Sequence, residues 1–249
     1  MQKEKYIYMM ISPIVIIILW QCIYTMHLFS TVLFPSLQEI LPKVYLLLTS
    51  YIGYINIWHT LWNAFLWFML ATILGIPIGL WLGFSQKAYR SNEIMLHFFR
   101  SLPATAIFPI FLLFFGINDS SKIAISCFIS LWIIILASSS GVLYSNAVRI
   151  KTLHMLWVHG FELYKQLFYN SLSHIYIGLR TASAMTLIVV IVTEVFVGSS
   201  YGIGQNIYDA YVVYDTITLF ARVIITWIIW YSINLIMTWW EKYLIHRNN

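Results

Sequence analysis

Residues 58–84 read WHTLWNAFLWFMLATILGIPIGLWLGF, a run with no Asp, Glu, Lys or Arg. An α-helix rising 1.5 Å per residue needs about 20 apolar residues to cross the hydrocarbon of a bilayer, and this run exceeds that. A barrel strand would be shorter and would alternate in polarity, and the run does neither. Ala71, Gly75, Gly79 and Gly83 recur every four residues within it, so they share one helix face. Small residues at that spacing let helix backbones approach closely, which makes packing their expected role. Pro77 removes one backbone donor and predicts a kink.

Five more runs of the same character flank it, over 6–26, 94–116, 122–143, 178–197 and 216–239. The fold class expected is an all-α membrane protein, a six-transmembrane-helix bundle. Composition agrees: 61% of residues are hydrophobic and 9% charged, against about 25% charged in a soluble domain. Lys3 and Lys5 precede the first run as they would in a signal peptide. That run is longer than a usual signal core and no small-x-small cleavage site follows, so an uncleaved helix is the expectation. Cys22 and Cys127 both lie in apolar runs and read as buried small hydrophobes.

Lysine and arginine set the orientation. With the N-terminus inside, cytoplasmic segments hold eleven of the 14 basic residues. Lys43, Lys122 and Arg222 fall on the other side or at its edge. Positive-inside bias therefore places both termini and the segment 144–177 in the cytoplasm. The basic residues are scattered through short loops, an orientation signal and not a nucleic-acid stripe. Residues 34–54 read as an extracytoplasmic interfacial helix opened by Pro35 and Ser36, with Gly53 near its end. The run GSSYGIG over 198–204 has a tight loop as its default reading.

Segment 144–177 is the polar island of the chain, carrying Arg149, Lys151, His154, His159, Glu162, Lys165 and His174. A cytoplasmic island of this kind is a docking surface for a soluble partner. His154 and His159 are five apart, off the spacing of a helical metal pair, and no metal site is expected. No GK[ST] tripeptide occurs, so nucleotide hydrolysis in the P-loop manner is not expected of this chain. Arg100-Ser101-Leu102-Pro103 and Pro109 interrupt the third run. Freed carbonyls there need neighbours or a water-lined cavity, which makes the segment either a packing kink or part of a pathway or its gating. Glu194 is the one acid well inside a run, read evenly as a structural hydrogen-bonding group or a pathway group. Arg222 can pair with it or snorkel to the interface.

The runs FFRSLPATAIFPIFLLFFGINDSSK (98–122) and GLRTASAMTLIVVIVTEVFVGSSYGIG (178–204), with residues 35–83, resemble ABC importer permeases. The similarity covers nearly the whole chain from about residue 33 and points to the nitrate, sulfonate, taurine and bicarbonate branch. It implies a bundle of the type I ABC importer permease kind, in a bacterial inner membrane. It also implies a second permease copy, ABC ATPase subunits that bind ATP and Mg, an extracytoplasmic solute-binding protein and surrounding lipid. No cofactor is implied in this chain. The implied domains are an N-terminal helix and flank (1–33), an extracytoplasmic interfacial segment (34–57), a five-helix core (58–239) with a coupling loop (144–177), and a cytoplasmic tail (240–249).

In this family the cytoplasmic loop docks on the ATPase through Glu-Ala-Ala, a Gly a few residues on, and Leu-Pro. Here the chain departs from the pattern. Counting from Gly141-Val142 puts Lys151-Thr152-Leu153 at the Glu-Ala-Ala position, and counting back from Gly160 puts His154-Met155-Leu156 there. Tyr169, Asn170 and Ser173 stand near the expected prolines, while Lys165 and the residues after it keep the family's flavour. The resemblance implies a permease for a small solute, of which an anion such as sulfonate, taurine or nitrate is one candidate. A degenerate permease acting as a non-coupled scaffold, or an ion-coupled secondary transporter, are the alternatives.

Overall fold

The computed structural model describes residues 2–144, 152, 155, 157 and 160–246. Among these residues the chain is helical, without a strand. In chain order the helices are α1 (Gln2–Thr25), α2 (Leu37–Thr49), α3 (Tyr51–Phe84), α4 (Gln86–Ser101), α5 (Ala104–Phe115), α6 (Asp119–Tyr144), α7 (Phe161–Val197), α8 (Ile203–Val212) and α9 (Thr216–His246). Four of them contain stretches long and apolar enough to cross a membrane, within α3, α6, α7 and α9. The pair α4–α5 makes a fifth if counted as one broken span, bent by 93°. In α1 the described apolar portion, Pro13–Thr25, is shorter than a full span.

The core is the triangle of α3, α6 and α7. The small-residue stripe of α3 lies against α6: Gly75 faces Ile134, Gly79 faces Ile135 and Ser138, and Gly83 faces Ser139 and Val142. Ala71 is fully buried with Ile134 and Ala182. These matches advance in step along both chains, so α3 and α6 run parallel. The other side of α6 meets α7 antiparallel. There Gly178 faces Ala137, Gly141 faces Ser171 and His174, and the Ser130 and Thr186 hydroxyls share a hydrogen bond at 2.5 Å. Lipid tails are as apolar as leucine, so close approach and hydroxyl bonds, not exclusion from water, hold such a seam together.

At one end of the bundle α2 packs across the start of α9, where Ile40 and Val44 bury against Ala221 and Ile225. Trp20 of α1 joins them, stacking on Phe34 at 4.3 Å and donating its indole N–H to the Pro35 carbonyl at 3.2 Å. Ser36 opens α2 as the sequence predicts, in a capping box with Glu39. Its end differs: Ser50 closes α2, and its hydroxyl accepts the Gly53 N–H at 3.1 Å to start α3. Gly53 therefore belongs to the first turn of α3.

Two other boundaries differ from the sequence reading. The third run is not one helix, because Pro103 has no N–H to donate and restricts Leu102 before it, which sits at φ −65°, ψ 124°. The helix that contains the fifth run, α7, begins at Phe161, so residues 161–177 of the polar island are its first turns. With 37 residues, α7 is about 55 Å long, well beyond a hydrocarbon core of about 30 Å.

Candidate functional site

The residues singled out by sequence fall in three places. The first is the α4–α5 break. Phe99 stacks on Trp132 at 4.4 Å, and Leu96 is fully buried with Leu82, Ile135 and Leu136. Trp132 sits halfway along α6, so Arg100 stands near mid-depth of the bundle. Its side chain is exposed, as are Pro103 and Pro109. Among the described residues Arg100 has no acidic partner within ion-pair distance. A guanidinium at that depth is costly unless it meets water, a ligand or another chain.

The second place is the end of α7, far from Arg100 along the bundle. Glu194 is 1% exposed. Its carboxylate accepts the Thr60 hydroxyl at 2.9 Å and the Gly204 N–H at 2.9 Å. Thr60 Oγ1 in turn accepts the Ile203 N–H at 2.9 Å, and Asn56 Oδ1 accepts the Gly202 N–H at 3.1 Å. These backbone donors open α8, so a carboxylate and two neutral acceptors cap one helix from two others. Gly202, at φ +152°, has no room for a side chain: a Cβ there would lie 2.6 Å from the Glu194 carboxyl carbon.

Further ties fix the 198–204 turn. Lys122, 7% exposed, donates from Nζ to the Gly198 carbonyl at 2.6 Å, and Gln205 Oε1 accepts the Ser199 N–H at 3.1 Å. The run is a knot joining α3, α6, α7 and α8, not a bland loop. Gly-Ser-Ser-Tyr-Gly over 198–202 has the formal Gly-x-Ser-x-Gly spacing. A nucleophile elbow turns from strand to helix, and this run joins two helices. Sequence reasoning missed Asn56 and Thr60; two polar residues four apart on one face of an apolar helix were the available signal.

Arg222 lies beside the knot, around a cavity of about 20 Å³ with Asn56 and Ile203. Its Nε is buried without a hydrogen bond among the described residues, and the acids acting on it are Asp209 and Asp215. Asp215 caps α9, accepting the Thr218 N–H at 3.0 Å and the Thr218 hydroxyl. Burial pulls its carboxyl up, but the Thr218 bonds together with Lys43 and Arg222 outweigh that and hold it below the usual carboxylate range.

The third place is the head of α7. Lys151, Leu153, His154 and Leu156 lie outside the described residues, while Thr152, Met155, Gly160 and Lys165 are described and exposed. Lys165 pairs with Glu162 at 3.5 Å, both on the surface. Because Gly141 of α6 abuts Ser171, the turns from Phe161 to Asn170 run about 15 Å past that level. Met155, Trp157 and Phe161 are 77%, 83% and 82% exposed there. Inward of this head, Arg180 ties α7 to α9, donating from Nε to Asn234 Oδ1 at 2.7 Å and lying 3.6 Å from Glu241.

Between α3, α7 and α9 runs a groove of about 760 Å³, lined by Trp58, Trp62, Phe65, Phe68, Leu187 and Trp240 among others. Its walls suit acyl chains better than a charged solute, and neither Arg100 nor Glu194 lines it.

Apolar helices of spanning length, a broken pair and a close-packed small-residue seam define a multi-pass helical membrane protein. No protein-family model matches the chain. It is 29% identical over 230 residues to the putative aliphatic sulfonates transport permease protein SsuC of Bacillus subtilis, covering 90% of this chain and 82% of that one. It is 27% identical over 149 residues to the bicarbonate transport system permease protein CmpB of Synechococcus elongatus, covering 58% and 52%. To the taurine transport system permease protein TauC of Escherichia coli it is 26% identical over 148 residues, covering 57% and 54%. The curated homologues of this chain are thus ABC transporter permeases, of the branch its sequence resembles.

Proposed function

We propose that this chain is the membrane-spanning subunit of an ATP-driven importer for a small anion of the sulfonate, taurine, bicarbonate or nitrate kind. Its homologues are transport permeases, and such a subunit is not an enzyme. Hydrolysis of Mg-bound ATP falls to a separate ABC ATPase, and an extracytoplasmic binding protein delivers the solute. The pathway forms between two copies of the chain in a bacterial inner membrane, with lipid around them. Each copy contributes six spans, α1 being the first, and keeps both termini in the cytoplasm.

Arg100 lines the path at the α4–α5 break, with Pro103 and Pro109 shaping it. An exposed mid-depth arginine with no acidic partner among the described residues suits a passing anion. The exposed trio Met155, Trp157 and Phe161 at the head of α7 carries the coupling assignment. Aromatic and methionine side chains are enriched in protein interfaces, and a soluble ATPase is the partner that reaches this end. The Glu-Ala-Ala signature is replaced by apolar contact.

Co-purification tests this. The wild-type chain, expressed with a candidate ABC ATPase from the same organism, should bring that subunit through solubilisation. Trp157→Ser with Phe161→Ser should lose the subunit while still inserting in the membrane, and deletion of 151–165 should abolish uptake. Retained ATPase binding in the double variant, or uptake untouched by the deletion, would refute the assignment.

A further inference from the structure

Helix α7 is continuous from Phe161, a member of the exposed trio, to Val197, three residues beyond the buried carboxylate of Glu194. Over that length it is fixed to its neighbours at each end. The knot holds the far end through Thr60, Gly204 and Ile203, and Arg180 bridges to α9 nearer the head. Helix α8 is held to α7 at its opening turn, where Gly204 packs on the Ile191 carbonyl. Its first backbone donors, on Ile203 and Gly204, are taken by Thr60 and Glu194, and Gly202 by Asn56. The Glu194 carboxylate also fills the space that a side chain on Gly202 would need. A carboxylate hydrogen-bonded this fully and closed off by backbone is not placed to exchange with a passing solute.

We propose that Glu194 and Thr60 are positioning residues that fasten α8 to the end of α7, so that movement imposed at the head of α7 repositions α8 at the opposite mouth of the bundle. This rests on the coupling role proposed above for the head of α7. Thr60, on α3, bridges the two: it donates to Glu194 and accepts from Ile203, so removing its hydroxyl cuts that bridge and leaves the direct Gly204–Glu194 hydrogen bond. Valine keeps its shape and loses both bonds, while serine keeps them.

Two measurements test the proposal on the full chain in lipid nanodiscs. Hydrogen exchange reads the fastening without any ATPase. In Thr60→Val the amides of Ile203, Gly204 and the rest of α8 should exchange on the order of tenfold faster. Thr60→Ser should behave as wild type, and the α6–α7 seam should be unchanged in both, which separates a lost fastening from a misfolded chain. Equal exchange in Thr60→Val and wild type would overturn the proposal. Spin labels at the exposed Tyr169 and Tyr208 then read transmission in the complex with the ATPase, on trapping with Mg-ATP and vanadate. Both labels should move in wild type and in Thr60→Ser; in Thr60→Val, which keeps only the direct Gly204–Glu194 hydrogen bond, the Tyr208 label should move less while the Tyr169 label moves as before. A Tyr208 label that follows equally in Thr60→Val, or stays still in wild type while Tyr169 moves, overturns the lever alone. Two still labels in wild type overturn the coupling reading with it.

Discussion

Gly178→Ala should force helices α6 and α7 apart. A Cβ at position 178 would stand 2.2 Å from the Ala137 Cβ, whereas carbon atoms pack at about 3.5–4.0 Å. Alanine has no rotamer with which to yield, so the helices must separate by about 1.5 Å, at an overpacking cost of about 1–3 kcal/mol. The same separation stretches the Ser130–Thr186 hydrogen bond out of range, adding about 1 kcal/mol. Alanine recovers about 1 kcal/mol over glycine in a helix interior. The net loss is about 1–3 kcal/mol, far more than a helix-propensity argument would give, since that argument predicts a gain.

The rescue makes the reasoning testable. With Ala137→Gly added, the nearest atom to the new methyl is the α-carbon of residue 137 at 3.7 Å, an ordinary contact. The double variant merely exchanges the two residues across the seam, so its propensity costs cancel and its stability should fall within about 0.5 kcal/mol of wild type. Ala137→Gly alone should lose about 1 kcal/mol or more. A double-mutant cycle, read by thermal or SDS unfolding of the purified protein, should give a coupling energy of about 2–3 kcal/mol. If the two single losses simply add, the α6–α7 register described here is wrong.

The α3–α6 seam predicts a ranking: Gly79→Ala meets the Ile135 carbonyl at 2.6 Å, whereas Gly75→Ala first meets the Ile134 side chain at 2.9 Å. Backbone cannot rotate away, so Gly79→Ala should destabilise by about 1–3 kcal/mol and Gly75→Ala by less, and the reverse order in unfolding experiments would contradict the geometry. Asp215→Ala should cost about 1 kcal/mol through loss of the α9 cap, read as faster amide exchange in its first turn. The folded carboxyl lies below its usual value, so the cap is at full strength above the unfolded pKa of about 3.9 and fades as pH falls through the folded one. Protection lost already between pH 7 and 5 would contradict that sign. Arg100→Ala should lower anion uptake by on the order of tenfold while ATPase co-purification persists, with Arg100→Lys closer to wild type; undiminished uptake in the alanine variant would take Arg100 out of the path.

Much of the fold was legible because lipid imposes length and polarity on each run. The stripe Ala71, Gly75, Gly79 and Gly83 could be read as a packing face from spacing alone, and it meets α6 as that reading expects. Its partner face could not, because Ser130, Ser138, Ser139 and Gly141 of α6 have no single period; they divide between two neighbours, α3 and α7. The break at Pro103 was legible from proline chemistry, but its 93° bend depends on Phe99 and Leu96 finding Trp132 and Leu136, which are remote in sequence. Glu194 stood out as an isolated acid. Its partner Thr60 lies over 130 residues away, as does Asn56 from the Gly202 N–H it accepts, and no local pattern joins them.

The two seams of α6 also bear on which part of the bundle can move. Along α3, α6 and α7 the helices touch through glycine, alanine and serine with backbone atoms in contact, and such an interface cannot slide without gaps or clashes. The α4–α5 pair is held differently, by Leu96, Phe99 and Phe108 resting on α6, with Ile94, Leu113 and Phe114 more than three-quarters exposed. Large side chains with rotamer freedom accept a changed angle more readily than a glycine seam does. A load applied at the head of α7 would therefore carry the three-helix core as a unit. Relative motion would concentrate at the α4–α5 break, which is where Arg100 stands.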